Sequence, residues 1–290
     1  MLNLVHLKVL AAVARHGSVT EAARELHYSQ PSVSHHLSRL EAATGVKLVQ
    51  RIGRGIRLTP EGRLLANRAA EIVGRVDAAT TELAAQVGLQ AGQVRLAANA
   101  SALATIVPEA AASLARAHPG LRLTLCDRHP VEALQMLRHG ELDVALVFRD
   151  ADAPAEEEGF RLLHLGEDPI HLISRQPGDS LANHRHAAWI GGCDRCQEEL
   201  TAVCRQEGFT PRIASLSDDM VVVQSLVAAG LGVAILPGLA LRAHRRPDVH
   251  ATELDFRRRI HAATYGDPPD PPAVAAVLAA LTDVTSGALT

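Results

Sequence analysis

A chain of 290 residues is long enough for two or three domains, each with its own core. Polar and charged groups recur every few positions in the first 15 residues, which excludes a secretory signal, and no run of about 18 apolar residues offers a spanning helix. A cytoplasmic protein without membrane contact is expected. The net charge of −3 hides an asymmetry: residues 1–59 carry eight Lys/Arg against three acids, leaving 21 against 29 in the remainder. A basic head on an acidic body suits a head that meets a polyanion, although a solvated charged face gives a weaker bias of the same kind. Four cysteines, one far from the others, fit a reduced compartment better than a disulfide framework.

Leu4, Leu7, Val9, Leu10 and Val13 recur at helical spacing up to Gly17, a glycine suited to end a helix. Ser18-Val19-Thr20-Glu21 then has the form of a capping box. It opens a short helix whose Ala22, Ala23 and Leu26 allow close packing. His27-Tyr28-Ser29 reads as a turn, and Ser29-Gln30-Pro31 starts a third helix with a cap and an early proline. Val33, Leu37 and Leu40 give that helix one buried stripe. Its other side shows Pro31, Ser32, His35, Ser38 and Arg39, with Ser34 on the flank. Short hydroxyls and one long cation, with no acid in the first two turns, suit contact with phosphates and base edges. An ordinary solvated face would mix Glu and Lys. Gly45 closes the helix, and residues 46–50 and 55–59 read as strands of a hairpin wing around Arg51-Ile52-Gly53-Arg54-Gly55.

The run LKVLAAVARHGSVTEAARELHYSQPSVSHHLSRLEAATGVKLVQRIGRGIRLTPEG closely resembles the head of LysR-type transcriptional regulators, almost without gaps over residues 2–62. Leu7 stands where that family usually has Phe, Val49-Gln50 replace the usual Phe-x before Arg51, and His35 occupies a position where arginine is common. The resemblance implies a winged helix-turn-helix in which Gln30, Pro31, Ser32, Ser34 and His35 face the major groove of double-stranded DNA. It also implies that Thr20, Ser29, Arg39, Arg51 and Arg54 contact the backbone, the wing reaching towards a minor groove.

Thr59-Pro60 reads as a helix cap followed by a first-turn proline. Beyond it Leu65, Ala69, Ile72, Val76, Ala79 and Leu83 alternate steps of four and three, a heptad seam suited to a helix paired with its own copy. Packing against its own domain is the alternative. The resemblance implies a dimerising linker helix, hence a homodimer or homotetramer on a promoter with two half-sites, and RNA polymerase as a further partner. The expected division is residues 1–59 for the DNA-binding head, 60–88 for the linker and 89–290 for an effector-binding body.

After residue 92 strands at 93–98, 121–125 and 144–148 alternate with helices at 103–117 and 131–138. A second series has strands at 170–174, 188–190, 212–214 and 233–236, helices at 198–206 and 220–229, and a last helix at 273–281. The pattern predicts an α/β fold with mainly parallel sheets covered on both faces. GELDVALVF (140–148) and LVAAGLGVAILP (226–237) resemble, more loosely, the LysR effector domain. That resemblance implies two Rossmann-like lobes of the periplasmic-binding-protein type, lobe I at about 92–162 and 264–290 and lobe II at about 163–263.

Ligands of such sheets sit at the C-terminal strand ends, facing helix starts that favour anions. That rule selects Asn99, Ala100, Ser101, Arg128, Phe148, Arg149, Gly192 and Cys193. Arg128 and Arg149 suit a carboxylate effector, but surface or hinge ion pairs explain them equally. Cys193, Cys196 and Cys204 lie within twelve residues, and a Cys-x-x-Cys at a helix start suits a reactive thiol or part of a metal site. A structural zinc site wants four ligands, however. Only His184 and His186 stand near, and core packing is the simpler account of Cys204. No metal, cofactor or catalytic residue is assigned, since no GxSxG, phosphate loop or HExxH occurs. The leading reading is a small-molecule-controlled, DNA-binding regulator. The alternatives are a thiol- or metal-responsive regulator using those three cysteines and, more remotely, an enzyme on a binding-protein-like fold.

Overall fold

The computed structural model describes residues 2–52, 55–86, 92–150, 159–266 and 268–288. Three helices open the chain: α1 (Leu4–His16), α2 (Val19–Glu25) and α3 (Gln30–Thr44). Each starts on the cap its sequence offers. Asn3 accepts from the Val5 N–H, the Ser18 hydroxyl from Glu21 and the Ser29 hydroxyl from Ser32. His27, in the turn between α2 and α3, holds φ 55°, a left-handed conformation unusual for a residue other than glycine. Leu7, Leu10, Val13, Ala22, Val33, Leu37 and Leu40 are buried together in one core.

A hairpin of β1 (Val49–Ile52) and β2 (Gly55–Leu58) follows, with Val49 opposite Leu58. The first strand begins later than its sequence suggests, because the Glu41 carboxylate accepts the N–H groups of Leu48 (2.9 Å) and Val49 (3.3 Å). Those bonds, with the Lys47 ammonium, hold the Glu41 pKa low even though burial pushes it up. Helix α4 (Pro60–Gln86) leaves the hairpin through Thr59, whose hydroxyl donates to the Lys47 carbonyl and accepts from the Gly62 N–H. A Cβ on Gly62 would collide with the Leu48 carbonyl oxygen.

The body is built on a six-stranded sheet of order β4-β3-β5-β10-β6-β9. Strands β3 (Gln93–Ala98), β4 (Arg122–Asp127) and β5 (Val144–Asp150) are mutually parallel. Next come β6 (Phe160–Ser174), then β7 (Ala188–Gly191) and β8 (Arg212–Leu216), which form a separate parallel pair. The short β9 (Ala234–Pro237) and the long β10 (His250–Tyr265) complete the set, and Trp189 bridges the small pair to Val233. Strand β6 pairs antiparallel with both β10 and β9, and β10 pairs antiparallel with β5. The expectation of mainly parallel sheets therefore fails at the two long strands, which carry the chain between the two halves of the body and back.

Helices α6 (Ile106–Ala117) and α11 (Pro272–Ala288) share one core with β3 and β5, while α7 (Pro130–Arg138) covers the opposite face. The single helix expected at 103–117 is broken: Asn99 caps a short α5 (Ala100–Leu103) before α6 begins. In the second half α8 (Asp194–Gln206) packs its Leu200 and Val203 with Trp189 and Leu172. Helices α9 (Met220–Ala228) and α10 (Gly238–Ala243) pack Val227 and Ala240 with Ile173 and Leu236. Among the described residues no helix is long and apolar enough to cross a membrane.

Head and body touch directly. Gly74 of α4 lies against the turn after α7: a Cβ at Gly74 would stand 2.7 Å from both the Gly140 Cα and the His139 carbonyl oxygen. Nearby, Arg15 reaches Glu141 at 2.6 Å and Glu25 at 2.7 Å.

Candidate nucleic-acid interface and ligand cleft

The start of α3 presents a polar face. Gln30, Pro31, His35, Ser38 and Arg39 are exposed, Ser32 and Ser34 half-buried, and Val33, Leu37 and Leu40 turn inward. Ser29 sets where the helix begins, and exposed Thr20 lies in the first turn of α2. Arg39 makes no ion pair among the described residues, whereas Arg24, Arg15 and Lys47 are each paired with an acid. Behind this face the rings of His6 and Tyr28 lie 5.3 and 5.6 Å from His36, joining α1 to α3. Burial first, then the charges of His36 and Arg39, keep the His6 pKa low. Arg51 stands in β1 opposite Ile56; Arg54 lies outside the described residues.

The apolar seam of α4 divides in two. Leu65 and Ala69 pack into the head's own core, so the expected alternative of self-packing describes the first turns. Ile72 (41% exposed), Val76 (42%) and Leu83 (66%) stay open along the remainder.

Between the two halves of the body lies a cavity of about 200 Å³. Asn99, Ala100, Ser101 and Phe148 line it from one side, Gly192 and Cys193 from the other. Arg128 and Arg149 do not line it. Arg128 pairs with Glu132 one turn ahead at 3.0 Å, and Arg149 lies on β5 beside Arg259 of β10.

The buried cation of the cleft is instead Arg258, which sequence reasoning missed. It stacks 3.8 Å over the Phe148 ring, donates to Asp168 Oδ2 at 2.8 and 3.0 Å and reaches the Ser101 hydroxyl at 3.4 Å. Asp168 is fixed from its other oxygen by the Leu239 N–H at 2.9 Å. One signal was available: along β10 Arg258 falls in phase with Leu254, Phe256, Ile260 and Ala262, the side of the strand that turns inward. Asp127, Glu199 and Asp218 also line the cavity, so its walls carry both signs of charge.

The three clustered cysteines do not converge. Cys204 is fully buried beside Trp189 and Leu200, and burial raises its pKa to about 11. Cys193 and Cys196 stay together, their sulfurs 2.9 Å apart at the cavity edge. Burial first, then the neighbouring Cys193 thiol, pushes Cys196 up to about 12, which leaves it a protonated, weak nucleophile at neutral pH.

Comparison with known proteins gives the same picture for both parts of the chain. Residues 4–63 match the family described as bacterial regulatory helix-turn-helix protein, lysR family, and residues 88–286 match the LysR substrate binding domain. HTH-type transcriptional regulator CfxR of Cupriavidus necator is 30% identical over 253 residues, 83% of this chain and 78% of that protein. The probable HTH-type transcriptional regulator LrrA of Synechococcus elongatus is 29% identical over 287 residues, 96% and 95% of the two chains. Among solved structures, ArgP from Mycobacterium tuberculosis aligns with a TM-score of 0.71 at 20% identity, covering 99% of this chain and 98% of that one. Full-length CbnR complexed with the target DNA aligns with a TM-score of 0.66 at 21% identity, covering 98% and 100%.

Proposed function

The chain belongs to the LysR family of transcription regulators, which are not enzymes, and from that premise we propose that α3 enters the major groove of a promoter duplex under the control of a small polar effector held between the two halves of the body. The carrying observation is the acid-free exposed face from Gln30 to Arg39, set on a capped helix whose opposite stripe is locked in the head core. Gln30, Pro31, Ser32, Ser34 and His35 read base edges in this account, and Thr20, Ser29, Arg39 and the arginines of the wing hold the phosphates. The open stretch of α4 from Ile72 to Leu83 is covered by a second copy, giving two heads for two half-sites. Acting on DNA, the protein works in the cytoplasm and exerts its effect on RNA polymerase at the same promoter. Arg258, the Ser101 hydroxyl and the start of α8 support a carboxylate-bearing effector of a size set by the cavity.

A titration of labelled upstream DNA at several salt concentrations tests the reading. Saturable binding with a steep negative salt slope is expected. His35→Ala should remove about 1–3 kcal/mol of discrimination at one position, whereas Arg39→Ala should weaken all sequences alike and lower the slope by about one. A protein that ignores duplex DNA at low ionic strength overturns it.

A further inference from the structure

Three donor atoms meet on the second-half wall of the cleft. The sulfurs of Cys193 and Cys196 and a carboxylate oxygen of Asp218 all lie within 4.8 Å of one another, and among the described residues no fourth Cys, His, Asp or Glu joins them. The grouping depends on a bare backbone: a Cβ on Gly192 would stand 2.8 Å from Asp218 Oδ1 and 3.0 Å from the Cys196 Cβ. Asp218 Oδ1 accepts the Cys193 N–H at 2.5 Å, which orients the carboxylate and leaves Oδ2 for a ligand. The chain just beyond is also held, since Asp219 caps α9 by accepting from Val221 and Val222.

Two soft sulfurs and one hard oxygen are a donor set for a zinc-like cation. We propose that Cys193, Cys196 and Asp218 bind a thiophilic divalent cation whose fourth coordination position opens into the cleft. The proposal rests on reading the cleft as the sensing site, and it deepens that reading: the carboxylate-bearing effector completes the coordination of the ion. Zinc–sulfur bonds of about 2.3 Å at the tetrahedral angle place two sulfurs about 3.8 Å apart, so binding spreads the present pair by about 1 Å. That is a modest side-chain rotation for Cys196, which stands in the first turn of α8 at the cavity edge. With three protein ligands and one vacant position, the arrangement has the form of an open rather than a closed site. The facing wall supplies Asp127 and His129, and Arg258 stands by for an anionic fourth ligand.

The test uses the full chain, purified under reductant and stripped of metal. It is titrated with Zn²⁺ against a chromophoric chelator, and separately with Co²⁺ to read sulfur-to-cobalt charge-transfer absorption. About one Zn²⁺ per chain and a clear cobalt–sulfur band are expected. Cys193→Ser and Cys196→Ser should each weaken zinc by at least about 100-fold and abolish the band, and Asp218→Asn should cost about 10-fold. Cys126→Ser should change neither. A wild-type chain without the cobalt–sulfur band, or a Cys193→Ser/Cys196→Ser double variant that keeps its zinc, overturns the proposal. So does a pair that forms a disulfide in air and shows no zinc affinity once reduced. DNA titration of the metal-free chain separates the two readings. DNA binding without zinc binding sinks only the metal site, and zinc binding without DNA binding sinks only the regulator.

Discussion

Asp179 shows how a single buried charge is kept in place. Its side chain is 1% exposed, and burial alone would raise its pKa. Hydrogen bonds from Asn183 (3.0 Å), His184 (2.6 Å) and the Ser180 N–H (2.9 Å) outweigh that and hold it at about 2. Because the folded value lies below the ordinary 3.8, its contribution is complete above about pH 4 and is lost as the pH falls towards 2. The difference corresponds to about 2 kcal/mol. Asp179→Asn should lower stability at pH 7 by about 1–2 kcal/mol and flatten the acid limb between pH 4 and 2, as read by denaturant melts across pH. A variant that melts like the wild type at every pH would remove the carboxylate from this role. The cleft residues were only partly legible at this scale. Asn99, Ser101 and Cys193 follow from the rule that ligands sit at strand ends, because that rule needs only element order. Arg128 meets the same rule, yet Glu132 four residues on draws it along the helix. Arg258 was missed because no strand was read over residues 250–265. Only its pairing with Asp168 across β6 and β10 explains a buried guanidinium.

At the scale of elements, α4 divides one continuous face between a packed and an open stretch. The head core claims Leu65 and Ala69, and the same stripe then runs on, uncovered, through Ile72, Val76 and Leu83. Ile72→Glu leaves the head core untouched and puts a charge into the open stripe. It should weaken self-association at least about tenfold in sedimentation while the helical circular dichroism stays unchanged. Unaltered mass at micromolar concentration would mean the stripe is covered by something other than a second copy. Helix starts were the most readable elements where the cap was recognised, since Ser18 and Ser29 cap through their own side chains. Strand β1 was read too early because its amides are taken by Glu41, a partner several residues back on another element. Strand β10 was not read at all. Its first half alternates with half-exposed residues and its second half is buried almost continuously, so no single period runs through it.

At the scale of the whole molecule, head and body are joined by more than the linker. The Arg15–Glu141 pair is partly exposed at both ends and contributes at most about 1 kcal/mol. The contact of Gly74 with Gly140 is the tighter constraint, for two backbones meet there and Gly140 also holds φ +66°. Gly74→Leu should force the two apart and raise the radius of gyration in solution scattering, while each part keeps its own fold and the head its affinity for DNA. An unchanged scattering profile would show that the contact does not set the arrangement.

For anyone building chimaeras from this scaffold, the position of that glycine decides where to cut. A foreign head spliced on at Thr59 takes its place on the resident linker but is severed from its own counterparts of Ala66 and Ala69, the residues that fill the head's floor. A foreign head that brings its whole linker risks planting a side chain against Gly140. The workable joint is the short interval after Ala70 and before Gly74, where a transplanted head keeps its own floor and the recipient keeps its bare contact.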